Sequence, residues 1–409
     1  MRDKGLKILQ LTKKFPFPLK DGESIAIDYM SRSMFELGHE LSLLSMNTVK
    51  HNFNLKELPA DYKHYHKIYC VEVDNRIKVV DAFLNLFGQD SYHIQRFISK
   101  EYEAKLIEIL ESEEFDVVQL ETLYLSPYIQ TIRKYSKAIV VMRSHNVEHE
   151  IWKRIMENTD RGLKKFYLDL LTKRLEKYEV DQLNAYDLMI SMTERDQNFF
   201  QDLGMKIPSL VAPIGMDLGR YPEKQINNKS LEFCFIGSLD WVPNQEAVQW
   251  LLDDIWPRVI KHRPKAVLKI AGRNAPEWML RIQSPGMNLI GEVEDARQFI
   301  EEHAILLVPL KSGGGMRVKI LEGMAMKSLV ITTSIGIEGI QAENEKEVFV
   351  ADNPDRFADY MIHALDYPQQ VVEMGEKAFH FIQSNYDVVE ISKKVIDEYK
   401  QVIDSKVNI

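Results

Sequence analysis

Short apolar, β-branched runs alternate with longer amphipathic stretches along this chain, and that alternation restricts the fold more than any other feature of the sequence. Leu6–Leu11 reads as a first strand, Thr12–Glu23 as a loop carrying Pro16, Pro18 and Gly22, and Ser24–Leu37 as a helix ended by Gly38. Leu41–Ser45, Val117–Leu120, Ile139–Arg143 and Leu188–Met192 read as further buried strands. Helical stretches such as Lys100–Leu110 and Leu163–Leu183 lie between them. Strands that alternate with helices imply a mostly parallel sheet with helices on both faces.

The pattern then repeats. Pro213–Pro222 and the polar run Asn227–Lys229 read as a linker. Strands Phe233–Ile236, Val267–Ala271, Asn288–Ile290, Ile305–Val308 and Leu329–Thr332 follow, with helices at Glu246–Val259 and Met316–Met326. The 409 residues exceed one ordinary core, since a domain runs to roughly 100–200 residues. The fold class is therefore α/β, with two doubly wound Rossmann-like domains at 1–220 and 221–385. A closing helix within 386–409 is expected to pack back on the first domain. Such domains bind ligands at the carboxyl ends of their strands, where strand order reverses. Two of them facing an interdomain cleft would hold a donor on one side and an acceptor on the other.

A net charge of -9 argues against broad nucleic-acid binding, which needs a basic footprint. The only two cysteines, Cys70 and Cys234, sit in apolar, strand-like runs, which fits a reducing cytoplasm and no disulfide framework. No export signal is legible, and no run of about 18 apolar residues spans a membrane. The Lys/Arg-rich stretch Lys153–Arg174 reads most simply as a solvated face, with peripheral membrane contact through anionic headgroups as the other reading. Asp253-Asp254 falls within a predicted helix, and no Asp-x-Asp occurs, so no metal site is expected.

The richest stretch is Val308-Pro-Leu-Lys-Ser-Gly-Gly-Gly-Met-Arg-Val-Lys-Ile-Leu-Glu-Gly-Met-Ala-Met-Lys327. A strand leads into Gly313, Gly314 and Gly315 and then directly into a helix. Glycines allow close backbone approach, and their N–H groups join the helix N-terminus as an anion site. Arg317 and Lys319 place positive charge where a helix dipole disfavours it, which makes sense if an anion binds. Glu322 lies three residues past Lys319, and its carboxylate could accept both ribose hydroxyls. The other reading is a plain turn with a surface Lys319–Glu322 ion pair worth a few tenths of a kcal/mol.

This segment resembles the donor-binding signature of retaining glycosyltransferases of family 4, the glycosyl transferases group 1 superfamily with the GT-B fold. The resemblance extends to Phe235-Ile-Gly-Ser-Leu-Asp-Trp-Val-Pro-Asn244, Ala271-Gly-Arg273, Gly291-Glu-Val-Glu-Asp295 and Thr332-Thr-Ser-Ile-Gly-Ile-Glu-Gly339. The N-terminal half matches more loosely, through Phe15-Pro-Phe-Pro, Asp21-Gly-Glu23, Ser144-His-Asn-Val-Glu-His149 and Pro213-Ile-Gly-Met-Asp217. The resemblance implies that Glu322 binds ribose. Gly313, Gly314, Gly315 and Met316 would wrap the diphosphate and its sugar, with Gly237 and Ser238 in the same donor site. Gly22, after the first strand, would let the backbone approach the diphosphate or the acceptor, and a plain turn before a helix capped by Ser24 or Asp21 is the other reading. Val293 would contact the base through its backbone. The chain departs from the pattern in three places. Gly314 stands where many relatives carry a first glutamate, and Ser238 and Asn244 stand where many carry an Arg and a Lys. Arg317 and Lys319 are then the substitute cations.

By the same resemblance His145, just past a strand end, points at the donor sugar. A hydrogen-bonded loop histidine is the other reading. The implied reaction moves a sugar from a nucleoside diphosphate to a hydroxyl on a glycan or lipid-linked acceptor, with no cofactor beyond the nucleotide sugar itself. It would run in the cytoplasm or at the inner face of the membrane, in bacterial surface polysaccharide or glycolipid assembly. A sugar-nucleotide 2-epimerase and a non-catalytic sugar-nucleotide-binding partner are the competing classes.

Overall fold

A computed structural model describes residues 5–19, 21–78, 85–86, 88, 90–159, 162–221 and 230–407. The linker expected around Asn227–Lys229 lies outside the described residues. The chain forms two compact units, Met1–Gly215 with Val388–Ile409, and Met216–Asp387.

The first unit is built on seven strands: β1 (Lys7–Thr12), β2 (Glu40–Thr48), β3 (Lys67–Val73), β4 (Val117–Leu120), β5 (Ile139–Ser144), β6 (Leu188–Ser191) and β7 (Ser209–Val211). They lie in the order β3-β2-β1-β4-β5-β6-β7 and pair in parallel throughout. Strand order reverses between β1 and β4. The central strands β4, β5 and β6 are buried along their whole length, as parallel strands covered on both faces must be.

The first helix, Gly22–Glu36, begins two residues before Ser24 because Asp21 caps it, accepting from the Ser24 N–H at 3.0 Å. Residues Ser24–Ser31 are all buried. One side of this helix faces the sheet and the other meets the closing helix Val388–Val407, whose Val388 carbonyl accepts from the Ser33 hydroxyl at 3.3 Å. Val395, Ile396, Tyr399 and Val402 of that closing helix join Ile8, Val117 and Ile139 in one core cluster.

The second unit carries β8 (Ser230–Ile236), β9 (Leu268–Ala271), β10 (Met287–Gly291), β11 (His303–Val308), β12 (Leu329–Thr332) and β13 (Phe349–Val350). Its order is β10-β9-β8-β11-β12-β13, again parallel, and it reverses between β8 and β11. β3, β7 and β13 were not among the strands placed from the sequence, although the run around Cys70 in β3 reads as strand-like. All three are sheet edges. β3 carries the apolar run Ile68–Val71 but is half buried, and β7 and β13, three and two residues long, are too short for the dense apolar run that marks a central strand. Both units are parallel-sheet, Rossmann-like α/β folds.

Candidate functional site

In the second unit the two loops that flank the strand-order reversal carry most of the expected donor residues. Gly237 and Ser238 follow β8, and Gly313–Met316 follow β11. The glycine loop is left-handed at Gly313 (φ 110°) and Gly315 (φ 76°). A Cβ on Gly313 would stand 2.8 Å from Arg317 Nη2 and 3.1 Å from Trp241 Cη2, so the bare backbone is what lets these side chains close over it.

The helix after the loop spans Val318–Ala325, a little shorter than expected. Arg317 is its N-cap, with extended backbone (φ -88°, ψ 92°) and no side-chain cap hydrogen bond, rather than a first-turn residue. Its guanidinium is folded back. Nη1 donates to the Gly314 carbonyl, and the group lies over the Trp241 ring, 5.8 Å from its centroid. Trp241 itself is 42% exposed.

Lys319 reaches from the first turn toward the end of β8. Its Nζ donates to the Ile236 carbonyl at 2.9 Å, stands 3.3 Å from Asn244 Oδ1, and lies over the Phe235 ring at 4.9 Å. Asn244 in turn donates to the Ser238 carbonyl at 2.8 Å and packs on Gly237, where a Cβ would meet its Nδ2 at 2.6 Å. The ammonium is thus held on carbonyl oxygens. Burial, with Arg317 adding to it, pushes the Lys319 amine down to about 7.

Glu322 is buried, and burial pushes its carboxyl up to about 7 against the pull of Arg297 and a hydrogen bond from Tyr221. The surface Lys319–Glu322 ion pair does not form: the two side chains leave the helix toward different partners. Ser238 is tied down as well. Its Oγ donates to Asp240 Oδ1 at 2.6 Å and accepts from Arg273 Nε at 3.1 Å. Each of the two positions that lack a cation, Ser238 and Asn244, is therefore touched by a cation from another element. Arg273 was missed as a site residue, though its place just past the β9 end was a usable signal. Val293 lies past the end of β10, at the sheet edge and two strands from β8, and Asp295 and Arg297 just after it lie close enough to Glu322 to act on its carboxyl.

In the first unit, the loop after β1 and the ends of β4 and β5 form a second cluster. Gly22 is the first residue of its helix. Lys14 pairs with Asp21 at 2.7 Å and Lys13 with Glu23 at 3.1 Å. Lys13 also feels Glu148, which accepts from the Tyr124 hydroxyl at 2.9 Å. His145 stands one residue past β5, with Nε2 2.8 Å from Oε2 of Glu121, which is fully buried one residue past β4. Glu121 was not singled out from sequence. A carboxylate directly after a buried apolar strand, at the end where ligands gather, was the signal that could have found it. His149 is bound to Glu179 at 2.7 Å, a structural pair that also caps the helix Glu148–Glu157 through two backbone N–H bonds of 3.0 Å. Among the described residues no group of three or more His, Cys, Asp or Glu could hold a metal ion, and no helix is long and apolar enough to cross a membrane.

Residues 230–367, which contain the glycine loop and all its partners named above except Tyr221, match the family of glycosyl transferases group 1. An uncharacterized 44.6 kDa protein in the cps region of Klebsiella pneumoniae is 25% identical over 410 residues, covering 96% of this chain and 99% of the relative. Among solved structures, Anabaena HepE in complex with UDP superposes with a TM-score of 0.68 at 13% identity, over 97% of this chain and all of the other. Sucrose-phosphate synthase from Thermosynechococcus elongatus gives 0.68 at 13%, over 98% of this chain and all of the other. At these identities the likeness is one of fold, and the fold is that of the GT-B glycosyltransferases.

Proposed function

We propose that the chain is a retaining glycosyltransferase that moves a sugar from a nucleoside diphosphate to a hydroxyl acceptor. The observation that carries the reading is the convergence of Arg317, Lys319 and the Gly313–Gly315 backbone beside the strand-order reversal, with Glu322 one turn further along the helix. The glycine N–H groups and the two cations meet the diphosphate, and Glu322 accepts from the ribose hydroxyls. Charge builds on the departing diphosphate as the glycosidic bond breaks, and stabilising that charge is the main catalytic task. Attack on the face from which the diphosphate leaves lets the leaving phosphate take the acceptor proton, so no separate base is invoked. Arg317 and Lys319 supply the positive charge, and the reaction needs no metal.

Structures of HepE with UDP, with UDP-glucose, and with UDP and glucose favour a uridine donor and a sugar acceptor here as well. The Klebsiella relative in a cps region favours a role in surface polysaccharide assembly. A thermal-shift screen of nucleotide sugars, followed by assay of acceptor-dependent diphosphate release, tests this. Stabilisation by no nucleotide sugar would refute it. So would diphosphate release that no acceptor accelerates.

A further inference from the structure

We infer that Glu121 is a positioning residue for His145, holding the imidazole with its proton on Nε2 and leaving Nδ1 as the nitrogen that meets a ligand. The catalytic half of this inference rests on the transferase reading above. The positional half does not.

The orientation follows from the direction of the hydrogen bonds around the carboxylate. Tyr65 donates its hydroxyl to Gln10 Oε1 at 2.6 Å, and Tyr399 donates to Gln119 Oε1. Each glutamine oxygen is pinned, so each amide turns its NH2 toward Glu121. Gln10 Nε2 meets Oε1 at 2.5 Å, and Gln119 Nε2 meets the same oxygen. Arg143 Nη1 donates to Oε2 at 3.2 Å and also to the Ala26 carbonyl at 3.1 Å. Three donors thus surround a fully buried carboxylate, and beside the Arg143 guanidinium the ionised, acceptor-only form of Glu121 receives them all. Burial works against that charge, but Arg143 and His145 outweigh it and hold the carboxyl below its ordinary range. The fourth partner, His145 Nε2 at 2.8 Å, must then also be a donor. Glu23 is the other carboxylate that feels this ring.

The web joins the ends of β1, β4 and β5 to Tyr399 on the closing helix. The network satisfies Glu121 on both oxygens, while Nε and Nη2 of Arg143 have no hydrogen-bond partner in it; a buried polar network of this kind fixes geometry more than it adds stability. Glu121 and the β1 loop flank the strand-order reversal of this sheet, and His145 follows the carboxyl end of the next strand, which is where a ligand-facing ring belongs.

The test is 15N NMR of the full chain labelled at histidine, with the His145 resonances found by their loss in His145→Ala. In the native chain the neutral ring should carry its proton on Nε2. Glu121→Gln, or the milder Tyr399→Phe if the first variant fails to fold, should bring in the other tautomer. A native ring protonated on Nδ1, or an even mixture, overturns the inference without any need for turnover. In the transferase assay, Glu121→Gln or Tyr399→Phe should lower kcat while leaving donor KM within about twofold, since the lost interaction belongs to the transition state. An unchanged kcat with the tautomer lost overturns the catalytic half. If the native chain shows no transfer at all, the transferase reading falls and the NMR result alone decides the positional half.

Discussion

At the scale of single residues, the second unit holds an opposed pair of unfavourable charges. Lys319 prefers to lose its proton and Glu322 prefers to keep one, both near pH 7 and both chiefly because of burial. A bound diphosphate favours the ammonium, so binding takes up a proton between about 7 and the ordinary lysine value of 10.5. Ribose hydroxyls favour the carboxylate, so binding releases a proton between the ordinary glutamate value of 4.5 and about 7. Affinity for a nucleoside diphosphate should therefore peak near neutrality and decline on both sides. Calorimetry in buffers of different ionisation enthalpy checks this, and a flat profile would remove the linkage. Glu322→Gln should flatten the acid limb. It should also weaken free nucleoside diphosphate and nucleotide sugar alike by about 1.5–3 kcal/mol, the cost of a charged hydrogen bond. Arg317→Ala should act differently. Its guanidinium matters most as charge develops, so turnover should drop further than binding weakens. Equal losses in kcat/KM and in affinity would count against that role.

At the scale of elements, the glycine loop is a close fit between backbone and two side chains. Gly313→Ala would place a methyl 2.8 Å from Arg317 and 3.1 Å from Trp241 on a backbone at φ 110°. The chain should stay folded, since the loop is a surface turn, but nucleotide affinity should decline as Arg317 is displaced. A thermal unfolding scan paired with a binding titration separates the two effects. This element was legible in the sequence, because a buried strand, three glycines and a helix leave little freedom. The central strands were legible for the same reason: Ala304–Val308 of β11 and Leu329–Ile331 of β12 are continuous apolar runs whose ends the composition marks. What sequence could not supply was direction. Lys319 and Glu322 share a helix by spacing, yet one turns to the Ile236 carbonyl and the other to Tyr221, because burial forbids leaving either in solvent. The partnership of Glu121 with His145 joins two strands 24 residues apart, and pairing across a sheet is invisible to local pattern. The edge strands β7 and β13 escaped because three and two residues are too few to show a pattern.

At the scale of the whole chain, the first unit is left at Gly215 and re-entered at Val388, and the two crossings run side by side, with Met216 N–H donating to the Tyr386 carbonyl at 2.6 Å. The closing helix is therefore a part of the first unit that arrives last. It buries Val395, Ile396, Tyr399 and Val402 in that unit's core and anchors Gln119 through the Tyr399 hydroxyl. Side chains of this size contribute about 1.5–3 kcal/mol each when fully buried, and a domain has only about 5–15 kcal/mol in total. Ending the chain at Asp387 should thus unfold the first unit. The second unit keeps its own sheet, its glycine loop, and the partners of Arg317, Lys319 and Glu322, all within Met216–Asp387. The truncated chain should lose transfer completely yet still bind a nucleoside diphosphate. Because the balancing charge is assigned to Arg317 and Lys319, that binding, like turnover in the full chain, should persist in excess chelator. Circular dichroism would report the lost half, and a nucleotide titration with and without chelator would report the retained one. Loss of nucleotide binding along with the helix would place part of the donor site in the first unit. Loss on chelation, restored by magnesium or manganese, would take the charge-balancing role away from the two cations.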